Sequence, residues 1–463
     1  MLGTTATVAR AARPSARTAA TAALRTPKFK LTSPASSIRL FSSSSRWDKQ
    51  KLVILGSGWG GYELLRKVDK KRYDVTVISP NSYFAFTPLL ASASVGTIDY
   101  NSALEPTYYQ AWADKVDFDR KQLVCMPATG SSTRKRINAS ISDATDSSVR
   151  PTASFPGYKP FELSYDKLVV AVGCYSATFG IPGVSANGYF LKDIRDSSKI
   201  RSRILECFEL ASVEFAGELH DLTTTELAEA YPKLSQLVRI TIYDVAPGIL
   251  GSFDKSLAEY ATAKFVREGI QIKGSRHVTA VHEGVLDIKE EGKVPFGLLV
   301  WNTGLAPNPL IQSIKELQKD EKTKSLKIND TFNPVTDEGK ELKDVFVIGD
   351  ASALQEKLPA TAQVASQEAH WLSKILNAEA RGQEPPGGFT FHNRGTMAYL
   401  GDWSAILDRS KVKDGPKGEL TGRTAWLAWR SAYWLQALSF RNRVSLAYHW
   451  FATWLGGRRL SRF

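Results

Sequence analysis

The sequence predicts an α/β fold of two nested Rossmann-like units, the second without its first strand and glycine loop, plus a helical carboxyl-terminal region. Three observations support this prediction. An apolar segment runs directly into a glycine-rich turn and a helix near residue 56. Later apolar segments end at glycine, as strands of a parallel sheet do where they approach a nucleotide. The stretch 421–463 is rich in tryptophan and arginine.

Residues 51–65 carry the strongest signal, an apolar strand followed by a GxGxxG turn and a helix. Gly56 permits the tight turn, Gly58 lets a pyrophosphate approach the backbone, and Gly61 lets the helix pack closely on the strand. The helix N-terminus then offers unpaired N–H groups to a phosphate. An ordinary glycine-rich turn is the alternative, but the strand-turn-helix context favours a dinucleotide site.

The second strand ends at Ser79, where a Rossmann unit usually places an acid for the ribose. This favours a flavin dinucleotide over a plain NAD site. The aromatic loop 80–90 follows, which is either a surface for a flat ring or a simple core loop. Two further strands are predicted to end at glycine, Tyr165–Gly173 and Leu298–Gly304, and a third, Asp344–Asp350, to end in a Gly-Asp pair.

The net charge of +13 lies at the two ends of the chain. Residues 1–46 and 420–463 contain basic residues and no acid, whereas the region between them is close to neutral. The first segment is rich in Ala, Ser, Thr and Arg, which is typical of a mitochondrial transit peptide, with a disordered basic arm as the alternative. Three widely spaced cysteines form no CxxC or metal-ligand pattern and are expected to be small buried hydrophobes, so no metal site is predicted.

These residues resemble the type II, or alternative, mitochondrial NADH:ubiquinone oxidoreductases, a family of flavoproteins with two dinucleotide-binding domains. The resemblance covers nearly all of the chain after Trp47. Its most specific motifs are Ser79–Leu90, Ala171–Gly173, Thr303–Gly304, Gly349–Asp350, Ala362–Gln367 and Gly395–Gly401. The resemblance implies FAD and NADH as cofactors, ubiquinone as electron acceptor, and a peripheral location on the mitochondrial inner membrane.

The resemblance also implies site residues. FAD would be held by residues of the glycine turn, the aromatic loop and the strand ends, namely Gly56, Gly58, Gly60, Gly61, Thr87, Gly173, Gly349, Asp350, Ala362 and Gln363. NADH would be held by Glu214, Asp244 and Gly304. Gln363 and Gln367 would lie beside the isoalloxazine ring at the quinone entrance, with catalytic roles. A helix is predicted at 360–376. This is consistent with a quinone site, because the side-chain amides of these two glutamines offer uncharged hydrogen bonds to a quinone.

The second Rossmann unit lacks its fingerprint. The sequence before Val213–Leu219 should be a strand and three glycines, but Ile204–Ser212 is helical in character and appears continuous with the next helix. The strand Val238–Asp244 and a helix at 254–268 remain. We therefore expect weak NADH affinity and severely reduced turnover. The gap has three explanations, a natural variant, a pseudoenzyme or a mis-spliced gene model.

The carboxyl-terminal stretch contains Trp426, Trp429, Trp434, Trp450 and Trp454 among arginines. No apolar run reaches the roughly 18 residues needed to span a bilayer. The pattern predicts interfacial helices that bind a membrane surface, with a homodimer-forming hairpin as an alternative and nucleic-acid binding disfavoured. A silent FAD-binding membrane protein remains the second functional hypothesis. A sulfide-oxidising quinone reductase, the third, is disfavoured because no cysteine pair is placed beside the flavin.

These expectations divide the chain into a transit peptide, an FAD domain in two parts, an incomplete NADH domain and a membrane-anchoring or dimerisation region. The second part of the FAD domain includes the quinone-site helix. The predicted boundaries are 1–47, 48–195, 196–300, 301–405 and 406–463.

Overall fold

The computed structural model describes residues 49–106, 110–128, 159–206, 213–413, 415–437 and 439–458. The predicted transit peptide, Cys207 and most of the polar segment 127–160 lie outside these ranges. The twelve helices of the described residues are α1 Trp59–Lys67, α2 Leu90–Ser94, α3 Val184–Asn187, α4 Ile194–Glu206, α5 Val213–Thr224, α6 Glu226–Ala230, α7 Pro232–Ser235, α8 Lys255–Arg267, α9 Pro309–Ser313, α10 Ala362–Glu379, α11 Gly422–Gln436 and α12 Phe440–Gly456.

The strands within the same ranges are mostly short. They are β1 Gln50–Leu55, β2 Tyr73–Ile78, β3 Tyr83–Ala85, β4 Leu104–Pro106, β5 Ala111–Asp117, β6 Gln122–Pro127, β7 Phe161–Ser164, β8 Lys167–Val170, β9 Cys174–Ser176, β10 Thr241–Tyr243, β11 Gln271–Lys273, β12 Val278–His282, β13 Val285–Ile288, β14 Gly292–Pro295, β15 Leu305–Pro307, β16 Leu326–Lys327, β17 Val345–Val347, β18 Ser352–Ala353, β19 Thr396–Tyr399, β20 Ala405–Asp408 and β21 Glu419–Thr421.

The principal sheet contains four parallel strands in the order β17-β8-β1-β2. Parallel sheets are covered on both faces, so their strands are continuous apolar runs. This is the case for β1, in which Leu52, Val53, Ile54 and Leu55 are all buried. Helix α10 packs against α1 and is anchored to the sheet by Tyr73, whose hydroxyl donates to the Leu376 carbonyl at 2.8 Å. The predicted α/β fold is confirmed.

The second unit is reduced to fragments of sheet. Strands β10 and β11 form a two-stranded parallel sheet, and β12, β13 and β14 form a three-stranded antiparallel sheet. Helix α8 follows β10 as predicted and is capped by Asp254, which accepts from the Ser256 N–H at 2.9 Å. The predicted strand Val238–Asp244 is shorter than expected, since only Thr241–Tyr243 are paired.

The prediction of a strand at Leu298–Gly304 was wrong. Val300 makes only an isolated bridge with Tyr189, and no strand forms before Leu305. A strand requires a neighbour to pair with its backbone, and the central strand of this unit is missing from the sequence. The segment is nevertheless buried, because Leu298 is fully covered within the same apolar cluster as Phe215 and Ile242.

Helices α4 and α5 occupy the place where the fingerprint was sought. Residues 207–212 separate them and lie outside the described residues, so the predicted fusion of the two helices stays a prediction. In α5, Phe215, Ala216 and Leu219 are fully buried. The second unit thus has a continuous core despite the missing strand.

The carboxyl-terminal part combines the antiparallel sheet β19-β20-β21 with helices α11 and α12. Trp429 and Tyr433 of α11 are buried against Phe86 and Tyr399. Of the helices in the described ranges, none is both long enough and apolar enough to cross a bilayer.

Candidate functional site

The turn after β1 requires glycine on structural grounds. Gly56 has φ of +105°, and a Cβ there would lie 2.3 Å from the Ala171 carbonyl oxygen. A Cβ on Gly61 would lie 2.0 Å from the Gly56 oxygen, so α1 packs directly on the turn. Gly60 lies against Ile348, whose Cδ1 would be 3.0 Å from an added Cβ.

Gly58 differs from these three glycines. A Cβ at Gly58 would have no neighbour within 4 Å, and no side chain caps the helix there. The first N–H groups of α1, like those of any helix, have no intrahelical partner. The turn fits a diphosphate, because the backbone can approach it closely at Gly58 and the helix N-terminus favours negative charge.

The ends of β8 and β17 lie beside the same turn because the three strands are parallel. Gly173 and Gly349 both have positive φ, +63° and +69°. The thiol of Cys174 donates to Asp350 Oδ2 at 2.9 Å, and Lys192 Nζ lies 3.5 Å from the same sulfur. The expectation that Cys174 is a small buried hydrophobe was therefore wrong, because it is only half-buried and its thiol contacts a carboxylate. Cys125 is fully buried as expected.

Glu368 is a site residue that the sequence interpretation missed. Its carboxylate Oε2 accepts from the Gly349 N–H at 2.6 Å, and the side chain is almost completely buried. Burial raises the pKa of Glu368 to about 7, and the charge of Asp350 adds to this, although the Gly349 N–H opposes it. The sequence feature that could have identified Glu368 is an acidic residue on the same face of the helix as the buried apolar residues Ala365 and Leu372.

The aromatic loop proves to be a core loop. Phe84 and Phe86 are buried, and Trp59 packs on both rings at centroid distances of 5.2 and 5.1 Å. Thr87 is exposed, and its Oγ1 accepts from the Trp59 indole N–H at 3.0 Å. This bond ties Thr87 to the first residue of α1, next to the glycine turn.

Gln363 and Gln367 bind the backbone of the segment 392–395. Gln363 Oε1 accepts from the Arg394 N–H at 2.7 Å, and its Nε2 donates to the Gly395 carbonyl at 3.3 Å. Gln367 makes the same two-point contact with His392, at 3.0 and 2.9 Å. Ala362 is the first residue of α10, after the cap Thr361. The two amides thus hold this segment against the amino-terminal half of α10.

The residues predicted for NADH have separate surroundings. Glu214 Oε1 accepts from the Tyr399 N–H at 3.3 Å, and burial raises the pKa of Glu214 to about 7. Asp244 accepts from the Ala246 N–H at 2.8 Å within its own turn. Gly304 has φ of +65°, and a Cβ there would meet the Phe179 ring at 2.2 Å. These contacts place Glu214 at the carboxyl-terminal sheet and the other two at strand ends.

Comparison with known proteins decides the family. The pyridine nucleotide-disulphide oxidoreductase family matches residues 50–369, and the NDH2 C-terminal domain matches residues 393–459. The chain belongs to the type II NADH dehydrogenases of this family. It is therefore an oxidoreductase, as the sequence motifs predicted.

Individual members support this assignment. The chain is 33% identical to a probable NADH dehydrogenase of Dictyostelium discoideum, over 90% of this chain and 92% of that protein. It is 31% identical to the mitochondrial internal alternative NAD(P)H-ubiquinone oxidoreductase A1 of Arabidopsis thaliana, over 90% and 86%. The solved structure of NDH2 from Plasmodium falciparum in complex with NADH has a TM-score of 0.77 at 24% identity, covering 89% of this chain and 100% of that one. The last similarity establishes the fold.

Proposed function

We propose that the chain oxidises NADH through bound FAD and reduces ubiquinone, without pumping protons, at the surface of the mitochondrial inner membrane. The observation that carries the proposal is the meeting of Gly56, Gly58 and Gly349 at one edge of a parallel sheet. Dinucleotides bind in the crevice outside the carboxyl ends of such strands. The names of the relatives above support ubiquinone as acceptor.

Each group at the site has a role that suits this reaction. FAD, when bound, supplies the hydride acceptor and the electron donor to the quinone. The N–H groups at Gly58 and the start of α1 would take its diphosphate, and Asp350 would accept hydrogen bonds from its polyol chain. We assign Gln363 and Gln367 as positioning residues, because their amides hold the segment 392–395.

FAD retention after a single substitution tests the first half of the proposal. Gly58→Ala places a methyl group in open space, so the fold should persist while the close approach of a diphosphate is lost. We expect FAD affinity to fall about tenfold, the effect of losing one charge-assisted hydrogen bond. Gly251→Ala is the matched control, since its Cβ would also meet nothing within 4 Å. Both variants are stripped of flavin and titrated with FAD, and equal dissociation constants would contradict the assignment.

A second candidate function is a FAD-binding membrane protein with little or no NADH activity. The observation that favours it is the second unit, where the described residues give β10 a single partner, β11, and residues 207–212 are all that separate α4 from α5. A strand of about 5 to 6 residues and a six-residue fingerprint cannot both fit there. Glu214, Asp244 and Gly304 would then hold NADH without a backbone cradle for its diphosphate.

Titration with NADH separates the two candidates. If the silent protein is correct, half-bleaching of the flavin requires more than about 1 mM NADH, the upper end of ordinary KM values. Dithionite should bleach the same sample fully, which shows that the flavin is present and reducible. Bleaching at micromolar NADH, followed by ubiquinone reduction, would exclude the silent protein and establish the enzyme.

The membrane location rests on helices α11 and α12. Their outer faces expose large apolar side chains, among them Phe440 at 81%, Leu455 at 73% and Leu427 at 61%. Such faces suit partial insertion at headgroup depth, with arginines on anionic lipid. A homodimer formed through the outer faces of α11 and α12 is compatible with the proposed membrane location. Co-flotation with lipid vesicles tests the membrane contact, and light scattering without lipid tests the dimer.

A further inference from the structure

A cavity of about 400 Å³ lies between α5, the turn joining β19 to β20, and the helices α11 and α12. It is separate from the glycine turn and the strand ends assigned to FAD. One part of its lining, the aromatic wall, contains Arg430, and another part, the acidic wall, contains Arg458. We call it the α11–α12 cavity.

Arg430 is the principal group of the aromatic wall. Its guanidinium lies over the rings of Trp450, Trp426 and Trp403, at 4.5, 4.7 and 5.8 Å from their centroids. No carboxylate forms an ion pair with it in the described ranges, and burial lowers its pKa. A cation–π contact uses none of the N–H donors of a guanidinium, so these donors stay available for an oxyanion, which they can bind in a two-point geometry.

The acidic wall carries more negative than positive charge. Arg458 contacts Glu218, Asp221 and Glu226 at 3.4, 3.5 and 3.1 Å, so three carboxylates share one guanidinium. Asp402 lines the cavity beside them, and its N–H donates to Asp221 at 2.8 Å. A ligand that places an anion at Arg430 therefore meets excess negative charge elsewhere in the same cavity, which favours a cation there.

The position of the cavity indicates the source of such a ligand. Trp450, Thr453 and Trp454 of α12 line it, and Trp454 is 64% exposed together with Phe451 at 57%. These side chains continue into the apolar face assigned above to the membrane. Tryptophan rings at such a face lie at the depth of lipid headgroups.

We propose that the α11–α12 cavity binds the zwitterionic headgroup of a phospholipid that ends in a primary ammonium. Arg430 takes the phosphate, and the carboxylates of Asp221 and Asp402 take the ammonium. A primary ammonium can donate three hydrogen bonds to carboxylates, whereas a trimethylated one can donate none. The inference rests on the proposed membrane contact and deepens it, because it names the lipid that α11 and α12 select.

Vesicles of two neutral compositions test this inference. Phosphatidylcholine vesicles are compared with vesicles in which about a fifth of the lipid is phosphatidylethanolamine, so bulk charge is the same in both. We expect the full-length protein to bind the second about tenfold more tightly, as one charge-assisted hydrogen bond would give. Arg430→Gln and Asp402→Asn should each bring the two affinities within twofold. Arg423→Gln, an exposed arginine of the same helix, should keep the tenfold preference.

The variants separate the possible outcomes. If Arg430→Gln still prefers the vesicles that contain phosphatidylethanolamine, the preference reflects the looser lipid packing of those vesicles, and the proposal is overturned. Equal wild-type affinities for both vesicles would also overturn it, while leaving the membrane contact intact. Binding to neither vesicle would overturn the proposal as well, and co-flotation with anionic vesicles would then test the membrane contact separately. If soluble phosphoethanolamine raises the melting temperature of wild type but not Arg430→Gln while the vesicles bind equally, the ligand is a free phosphate ester and the lipid assignment is wrong.

Discussion

Substitution of Gly61 by alanine gives a direct test of how the glycine turn supports the fold. The new Cβ would lie 2.0 Å from the Gly56 oxygen and 3.4 Å from Ile54 Cγ2. Because the first neighbour is backbone, it cannot rotate away, and ordinary contact requires α1 to move by more than about 1 Å. A gap of that size forfeits roughly a quarter to a half of the dispersion energy of the atoms facing it.

The size of the effect follows from two opposing terms. Overpacking of this kind lowers the free energy of unfolding by about 3 kcal/mol, and replacing glycine by alanine inside a helix raises it by about 1 kcal/mol. The net loss of about 2 kcal/mol corresponds to a melting temperature lower by roughly 4 to 8 °C in a domain of 150 to 250 residues. Leu64, which α1 buries completely, would lose contacts with the sheet.

Thermal unfolding followed by circular dichroism measures this loss. The experiment uses protein stripped of flavin, so that ligand binding does not contribute to stability. Gly388→Ala is the control, because its Cβ would have nothing within 4 Å and its φ is not positive. We expect the control to melt within 1 °C of wild type, on the scale of ordinary surface substitutions. If Gly61→Ala also melts within about 1 °C of wild type, Gly61 of α1 does not pack closely on the Gly56 carbonyl.

Three other predictions concern polar contacts between distant parts of the chain. Folding raises the pKa of Glu368 from 4.5 to about 7. Between these two pH values the folded protein keeps the Glu368 proton that the unfolded chain has lost, so the free energy of unfolding should fall as the pH rises through this interval. In urea unfolding between pH 5 and 7.5, Glu368→Gln should flatten this dependence, which amounts to roughly 3 kcal/mol at most. Gln367→Glu should expose the segment around His392, because a carboxylate cannot donate to its carbonyl, and hydrogen exchange there should quicken by about tenfold or more. Arg458→Met should destabilise the protein by about 3 kcal/mol, since it leaves buried carboxylates unpaired, and lowering the pH to 5 should recover part of the loss in urea unfolding.

The parts of the site that could be predicted are local in sequence. Gly56, Gly58 and Gly61 belong to one strand-turn-helix segment, and their tasks follow from the spacing alone. The glycines ending β8 and β17 could be predicted because the carboxyl ends of parallel strands meet at one edge. The missing fingerprint could be recognised as well, because a strand and a six-residue loop need a minimum length of chain.

The parts that could not be predicted depend on distant partners. Leu298–Gly304 has the composition of a strand, but strand formation requires a neighbouring backbone, and within the described residues this segment has only the isolated bridge from Val300 to Tyr189. Gln363 and Gln367 were correctly placed near the start of a helix, but their binding to residues 392–395 is a contact across about thirty positions. Glu368 resembles any helical acid until its burial against Gly349 is known.

The sequence alone determined the α/β class, the glycine turn after the first strand and the truncation of the second unit, because each depends on the order of neighbouring residues. Tertiary structure alone decided which polar groups became site residues. Arg430 and Arg458 are two of several similar arginines in the sequence, and they differ only in what surrounds them, three tryptophans for one and three carboxylates for the other. Burial sets the energy of a charge, and burial is a property of the folded chain.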